Sequence, residues 1–437
     1  MNNISRRTLL KATAIAGAGA TGAIVLGGNP KTNQELLDTL FNDALTELPA
    51  ASIGAAIIKG GELVWSKGYG YQDIETRTQM NADSIWQTIG SVSKLVAWTA
   101  LMQLVEKQRI ELHGDISRYC GVQIRNPYHP DTAITPYHLL THSSSFSSRK
   151  LMSAPDTMAD LFCKSYTTNL KQWVQENVLE AGVSYSPELV FDNYRPGDFD
   201  NIKNDPLGVL SGYSSINSVM AAYLVECVSG IPFEQYCEEE IFGRIGMDNT
   251  AWSKEILDKS LLITPYEATK SQRAPIMAVY TKAMQDKGYL STGEVKSVDG
   301  RGYLSVQSCD YFSPFYPSAL LGTTVNSFAK FLAAFLNTGK DNHSQLLKPE
   351  TVNQIFTLQR KDSVTGSGIG LGWFQCSDRG PSVWGHDGGG PGILATVEID
   401  KDKGDGFILF VNNFFVNYKK VLRLTGDIRK LIEHIDR

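Results

Sequence analysis

In Gly90-Ser91-Val92-Ser93-Lys94-Leu95-Val96-Ala97-Trp98-Thr99-Ala100-Leu101 the chain changes from strand pattern to helix pattern. From Ser91 onward, Leu95, Val96, Trp98, Ala100, Leu101, Leu104 and Val105 line a wide apolar stripe. Residues three apart on a helix share a face, so the Ser91 hydroxyl and the Lys94 amine can approach each other. A hydroxyl is a poor nucleophile until a base takes its proton. A lysine serves as that base when its surroundings lower its pKa. The bland alternative is an N-cap serine followed by a solvated lysine. A second copy of the spacing, Ser147-Ser148-Arg149-Lys150, sits in a serine-rich loop. Ser91 follows a glycine and opens an apolar helix; Ser147 does neither.

Before Ser91, the apolar run Ser52 to Ile58, the pair Gly60-Gly61 and the run Glu62 to Tyr69 read as two strands joined by a tight turn. Leu36, Leu37, Leu40, Phe41, Ala44 and Leu45 precede them at helical spacing. Beyond the Ser91 helix the pattern is mostly helical, broken by Pro, Gly, Ser and Asn loops. Strands return near the end: Ile393 to Ile399, a Lys401 to Gly406 turn, then Phe407 to Val411. Leu422, Leu424, Ile428, Leu431, Ile432 and Ile435 suggest a closing helix. The expected fold class is therefore α/β (α+β). An antiparallel sheet is built from both chain ends, 33–110 and 338–437, and flanked by helices. A mainly helical domain, 111–337, is inserted between them. The crevice between the two parts is the natural place for a site.

The 437 residues are 42% hydrophobic and 20% charged, with a formal net charge of −5. No basic stripe is present, so no nucleic-acid partner is expected. Residues 1–28 read as a targeting segment. Ser5-Arg6-Arg7-Thr8-Leu9-Leu10-Lys11 precedes an uncharged Ala/Gly-rich run from Ala12 to Gly28, the form of a signal peptide. The adjacent arginines resemble a bacterial twin-arginine export signal. The run is short and weakly apolar for a membrane span. The expectation is export to the bacterial periplasm, with membrane contact only through an uncleaved signal. An oxidising compartment leaves disulfides open among Cys120, Cys163, Cys227, Cys237, Cys309 and Cys376.

Gly90-Ser91-Val92-Ser93-Lys94 closely resembles the nucleophile motif of the serine β-lactamase and penicillin-binding protein superfamily. Further segments match in that family's order: Leu112 to Ser117, Ile134 to Ser144 with its His-Leu-Leu-Thr-His core, Gly230 to Glu234, and Gly246-Met247. The resemblance runs from about Ser52 to Asn413 and is greatest to class C β-lactamases, D-Ala-D-Ala carboxypeptidases and family VIII carboxylesterases. It implies a β-lactamase/transpeptidase-like fold and an acyl-enzyme on Ser91, activated by Lys94.

The family's second motif, Tyr-x-Asn, is best matched by Tyr213-Ser214-Ser215. By resemblance, Tyr213 shuttles the proton to the leaving group. A phenol is a weak acid, so this role needs nearby positive charge, which Lys94 supplies. Ser215 stands where the family usually has Asn. Its hydroxyl can bond the lysine, but it lacks the carboxamide that reaches a substrate amide. The third motif is His386-Asp387-Gly388, in a run continuing through Gly389 to Gly392, where relatives place Lys-Thr-Gly or His-x-Gly. Positions i and i+2 of a strand share a face, so His386 would face the site and Gly388 would admit substrate backbone. By resemblance, the amides of Ser91 and Gly389 form the oxyanion hole.

Three further features have bland readings. His138 and His142 are spaced for a metal, but no acidic or cysteine ligand pairs with them, so no metal is expected. The glycine run lacks the Gly-Lys-Ser/Thr ending of a phosphate loop. Tyr311, Phe312, Phe315 and Tyr316 are equally cleft or core. The stretch Met152 to Asp205, with Trp173, Tyr185, Phe191 and Tyr194, is longer than the family requires and reads as a lid or a surface elaboration.

The functional expectation is an exported serine hydrolase without a cofactor. Its substrate would be a small-molecule or peptide-like ester, amide or peptide bond, cell-wall material and β-lactams among the classes. The alternative is a non-hydrolysing penicillin-binding or ligand-sensing protein on the same fold.

Overall fold

Gly60 and Gly61 take left-handed φ values of +57° and +83°, as a two-residue hairpin turn requires. They join strands β1 (Ser52–Lys59) and β2 (Glu62–Asp73), which pair antiparallel from Ser52↔Gly70 to Lys59↔Glu62. The computed structural model describes residues 32–148, 168–199, 202, 212–269, 276–306, 313–337, 345–362 and 365–435, with backbone only for 276–280.

Strand β3 (Thr78–Gln79) continues the hairpin. A separate small sheet contains β4 (Tyr266–Ala268), β5 (Val295–Lys296) and β6 (Gly302–Ser305) in the order β4-β6-β5. The C-terminal strands are β7 (Arg360–Lys361), β8 (Gly368–Ile369), β9 (Phe374–Gln375), β10 (Val383–Gly390), β11 (Ile393–Asp400) and β12 (Asp405–Val411). Among the described residues they complete a nine-stranded sheet in the order β3-β2-β1-β12-β11-β10-β9-β8-β7. β1 pairs antiparallel with β12, from Ile53↔Val411 to Ile58↔Gly406, so both chain ends share one sheet.

Five main helices are α1 (Asn33–Glu47), α2 (Lys94–Glu106), α3 (Ser215–Ser229), α4 (Val325–Leu336) and α5 (Tyr418–Ile432). Thr32 caps α1 reciprocally with Glu35. The central strands are buried on both faces. Ile53, Ala55 and Ile57 of β1 and Phe407, Leu409 and Val411 of β12 pack with Leu37 and Phe41 of α1 and Leu424 and Ile428 of α5. The alternate residues, Ala56, Ile58, Ile408 and Phe410, face a second core with α2, α3 and α4. Double burial explains why these strands read as continuous apolar runs.

The middle stretch carries two things its pattern did not show. One is the small sheet, whose strands are two to four residues long, too short for a period-two pattern. The other is α4, whose Phe328 packs 6.3 Å from Phe410. The sheet thus draws a covering helix from within 111–337. No single described helix is long and apolar enough to cross a membrane.

Candidate active site

The turn that carries Ser91 is a 3₁₀ turn, Gly90–Ser93, which runs directly into α2. In a 3₁₀ turn residues i and i+3 eclipse, so Lys94 lies over Ser91 more closely than in an α-helix. Lys94 Nζ donates to Ser91 Oγ at 2.9 Å and to the Ser318 carbonyl at 2.8 Å. Ser318 belongs to the short helix Tyr316–Ala319, and two further bonds join the chain just around that helix to the chain just around the turn. Leu321 N donates to Ser93 Oγ at 3.2 Å, and Thr88 Oγ1 donates to the Ala319 carbonyl at 2.6 Å. Lys94 is fully buried, and that burial lowers its pKa from 10.5 to about 7. Ser91 is half-buried.

Strand β10 lies against this turn, and glycines permit the approach. Gly90 has φ +54°, and a Cβ there would overlap the Gly389 amide nitrogen. A Cβ on Gly388 would overlap the Ile89 carbonyl and stand 3.0 Å from the Ser91 amide nitrogen. Gly388, expected to admit substrate backbone, thus admits the backbone of the nucleophile turn instead. The amides of Ser91 and Gly389 consequently sit on facing backbones in contact. A Cβ on Gly389 would overlap the Phe414 ring.

His386 points from β10 into the interior, while Asp387 is exposed and accepts a 2.7 Å bond from the Tyr418 hydroxyl. His386 Nδ1 lies 2.6 Å from the Asp387 carbonyl, so Nδ1 carries the proton and the buried Nε2 presents a lone pair. Burial first, and then the nearness of Lys94, lower its pKa to about 3. His386 is therefore neutral at physiological pH.

Tyr213 stands just before α3. Its ring centre lies 5.1 Å from Lys94 Nζ and 6.4 Å from the His386 ring. The structure thus brings Ser91, Lys94, Tyr213 and His386 together. Ser215 opens α3; its amide donates to Ser148 Oγ at 3.1 Å, and its carbonyl accepts from Ser218 Oγ. Lys94 takes the Ser318 carbonyl as its second partner, the role foreseen for the Ser215 hydroxyl.

Sequence reasoning missed His142, Phe374 and the Ser318 carbonyl. The His142 ring lies 4.5 Å from Tyr213, and Phe374 lies 4.7 Å from His386. His142 was visible in the quoted His-Leu-Leu-Thr-His segment and in its spacing from His138, but neither signal pointed to Tyr213. The helix there ends at Leu140, and His142 takes φ +52°. It therefore leaves the face that the spacing from His138 implies. His138 instead closes a capping box with Thr135. Among the described residues no cluster of three His, Cys, Asp or Glu could hold a metal.

The remaining expectations divide. Ser147 lies in a loop, its amide bonded to the Val190 carbonyl, and Lys150 is outside the described residues. Phe315 and Tyr316 are core, while Tyr311 and Phe312 lie outside the described residues. Trp173, Phe191 and Tyr194 of the long segment are also buried. Trp173 packs edge-on against Phe315, and Phe191 stacks on Phe146. Their part of the segment is core rather than lid. Cys120, Cys227, Cys237 and Cys376 are free thiols; Cys163 and Cys309 lie outside the described residues.

A sheet with helices on both faces, and a fully buried lysine beside a half-buried serine on a turn packed against strand β10, has the architecture of the β-lactamase and transpeptidase class. The chain belongs to the Beta-lactamase family, whose model matches residues 37–425. It is 26% identical to the PbpX protein of Bacillus subtilis (strain 168) over 242 residues, 53% of this chain and 51% of PbpX, so it spans about half of that relative's length. Its fold is similar to D-amino acid amidase from Ochrobactrum anthropi SV3, with TM-score 0.65, 18% identity, and 92% of this chain and 99% of the amidase covered. It is also similar to EstCE1, described as a hydrolase with promiscuous acyltransferase activity, with TM-score 0.60, 19% identity, and 88% and 94% covered.

Proposed function

We propose that the protein is an exported serine hydrolase that cleaves an ester, amide or peptide-like carbonyl through an acyl-enzyme on Ser91. The observation that carries this is the fully buried Lys94 amine 2.9 Å from Ser91 Oγ. With its pKa lowered to about 7, much of that amine is neutral at physiological pH and has a lone pair for the Ser91 proton. Ser91 Oγ then attacks the substrate carbonyl. The amides of Ser91 and Gly389 hold the oxyanion, and such donors are worth about 3 kcal/mol each. Lys94 and Tyr213 pass the proton to the departing alcohol or amine. Water attacks the acyl-enzyme, Ser91 regains its proton, and a carboxylic acid is released. No cofactor enters the scheme. The family membership and the hydrolase names of EstCE1 and the amidase support the reading. Arg6-Arg7 and the following Ala/Gly run, outside the described residues, support export, with cell-wall material as one substrate class.

The test is labelling with a fluorophosphonate followed by mass spectrometry of the modified peptide. The label should fall on Ser91. Ser91→Ala should lower ester hydrolysis about a thousandfold, and Ser147→Ala should leave it within a fewfold. Comparable losses in both variants would reject the assignment. Ser215 in the Asn position favours a second reading, a non-hydrolysing ligand binder. Under that reading the acyl group would stay on Ser91 for hours rather than being released.

A further inference from the structure

Three consecutive residues around Tyr213 each meet His142. A Cβ on Gly212 would stand only 2.5 Å from the His142 carbonyl oxygen, and Gly212 has φ +76°, which a side chain would strain. The His142 ring packs 4.5 Å from the Tyr213 ring at an interplanar angle of 32°. The Ser214 amide donates to His142 Nδ1 at 3.3 Å, and Asn217 Nδ2, from the first turn of α3, lies 2.9 Å from the same nitrogen. Asn217 is itself oriented, because its Oδ1 accepts from Ser144 Oγ. Two donors converge on Nδ1, so that nitrogen carries the lone pair and Nε2 carries the proton.

His142 is also costly where it stands. It is fully buried, it has φ +52°, and its Nε2 makes no hydrogen bond. A strained backbone and an unpaired buried donor each disfavour the fold. Burial, then Lys94, Arg360 and His386, hold its pKa far below the ordinary value, so the ring is neutral and adds no charge beside Lys94. An apolar ring could pack on Tyr213, but it could not receive Ser214 and Asn217. A small acceptor could receive them, but it could not pack on the phenol. Imidazole does both.

We propose that His142 is the positioning residue for Tyr213, holding the phenol by ring contact and its backbone by the Nδ1 acceptor. This rests on the reading that Tyr213 gives the leaving group its proton. The test compares kcat/KM for two butyrate esters on the full chain. Ethoxide needs a proton to depart, whereas p-nitrophenolate departs without one. His142→Asn tolerates a left-handed φ and keeps an acceptor near Nδ1, but removes the ring. It should lower kcat/KM about 30-fold for ethyl butyrate and less than threefold for p-nitrophenyl butyrate. In a Tyr213→Phe background the same substitution should cost less than threefold for either ester. Equal losses for both esters and in both backgrounds would mean a merely structural role and overturn the proposal. Should His142→Asn fail to fold, Asn217→Ala decides, with about fivefold expected for the ethyl ester and less than twofold for the activated one. Fluorophosphonate labelling separates the two readings. No label on Ser91 in the unaltered protein strikes the proposed function; a retained label with equal losses strikes only the role of His142.

Discussion

The Nζ of Lys94 lies 2.9 Å from the Oγ of Ser91, with the lysine side chain wholly shut away from water. One turn of 3₁₀ helix sets the distance, and the apolar core around α2 sets the proton affinity. The distance is local to the motif, whereas the burial and the second acceptor, the Ser318 carbonyl, come from distant parts of the chain. Ser147, the serine of the second copy, lies in a loop rather than at the start of a helix.

The pH dependence should follow from that burial. An amine acts as a base only when neutral, and Lys94 becomes neutral above about pH 7. We expect kcat/KM to fall tenfold per unit of pH below a midpoint near 7. His386→Gln should leave that midpoint in place, because His386, with a pKa of about 3, does not titrate there. Folding stability should show the same group. The Lys94 pKa is about 7 folded and 10.5 in the reference state, so between these values the unfolded chain binds the extra proton. Stability contributed by this residue therefore rises with pH across that window, by up to about 1 kcal/mol per unit. Urea unfolding at pH 7 and pH 9 should show the rise in the unaltered protein and not in Lys94→Met.

The glycines of β10 should grade by what each lies against. Gly388 faces the Ile89 carbonyl and the Ser91 amide, both backbone, so Gly388→Ala must displace the nucleophile turn. It should cost roughly a hundredfold in kcat, comparable to losing an oxyanion donor. Gly389 faces the Phe414 ring, which can swing, so alanine there should cost less. Gly390 has Ile393 at 3.7 Å and ordinary room, and alanine should be neutral within twofold. Steady-state rates on one activated ester check the order, and a Gly390→Ala loss equal to that of Gly388→Ala would refute it.

How much of this was legible beforehand depended on the range of the contact. The β1–β2 hairpin could be read from Gly60-Gly61, and the β11–β12 hairpin from its charged turn, because both are local. Ser91 and Lys94 could be read for the same reason. Tyr213 and His386 entered only through resemblance, since nothing in 122 and 295 residues of separation announces a common site. The Ser318 acceptor could not be read at all, because a backbone carbonyl leaves no mark on residue type. His142 was visible as a histidine, but its departure from the helix at Leu140 removed the periodicity from which its direction would be inferred.

Export should depend on the arginine pair. Arg6→Lys together with Arg7→Lys should leave precursor in the cytoplasm of a bacterial host. Fractionation and immunoblotting check this, and mature protein appearing unchanged outside the cytoplasm would reject twin-arginine export.

The substrate should be a small ester in preference to a β-lactam or a D-Ala-D-Ala peptide. Two positions argue for it. By resemblance, Ser215 stands where the family usually has an Asn that would reach a substrate amide; its own amide and carbonyl are bonded to Ser148 and Ser218. By resemblance, His386 stands where many relatives carry a permanently charged lysine that would attract a substrate carboxylate. Held neutral by burial, with a pKa of about 3, it offers no such charge at any pH where the protein would work. A charge-assisted hydrogen bond is worth about 1.5–3 kcal/mol and a neutral one nearer 1 kcal/mol. Losing both contacts costs roughly 2–3 kcal/mol, or about 30- to 150-fold. Small esters need neither contact and escape the loss. We expect kcat/KM for p-nitrophenyl butyrate to exceed that for nitrocefin and for a D-Ala-D-Ala peptide on one preparation. Ser215→Asn should raise the two amide substrates and leave the ester within twofold. A tenfold advantage for nitrocefin or the peptide in the unaltered protein would reverse the assignment. Neutral His386 would then have to be tolerated by a substrate carboxylate seated elsewhere in the cleft.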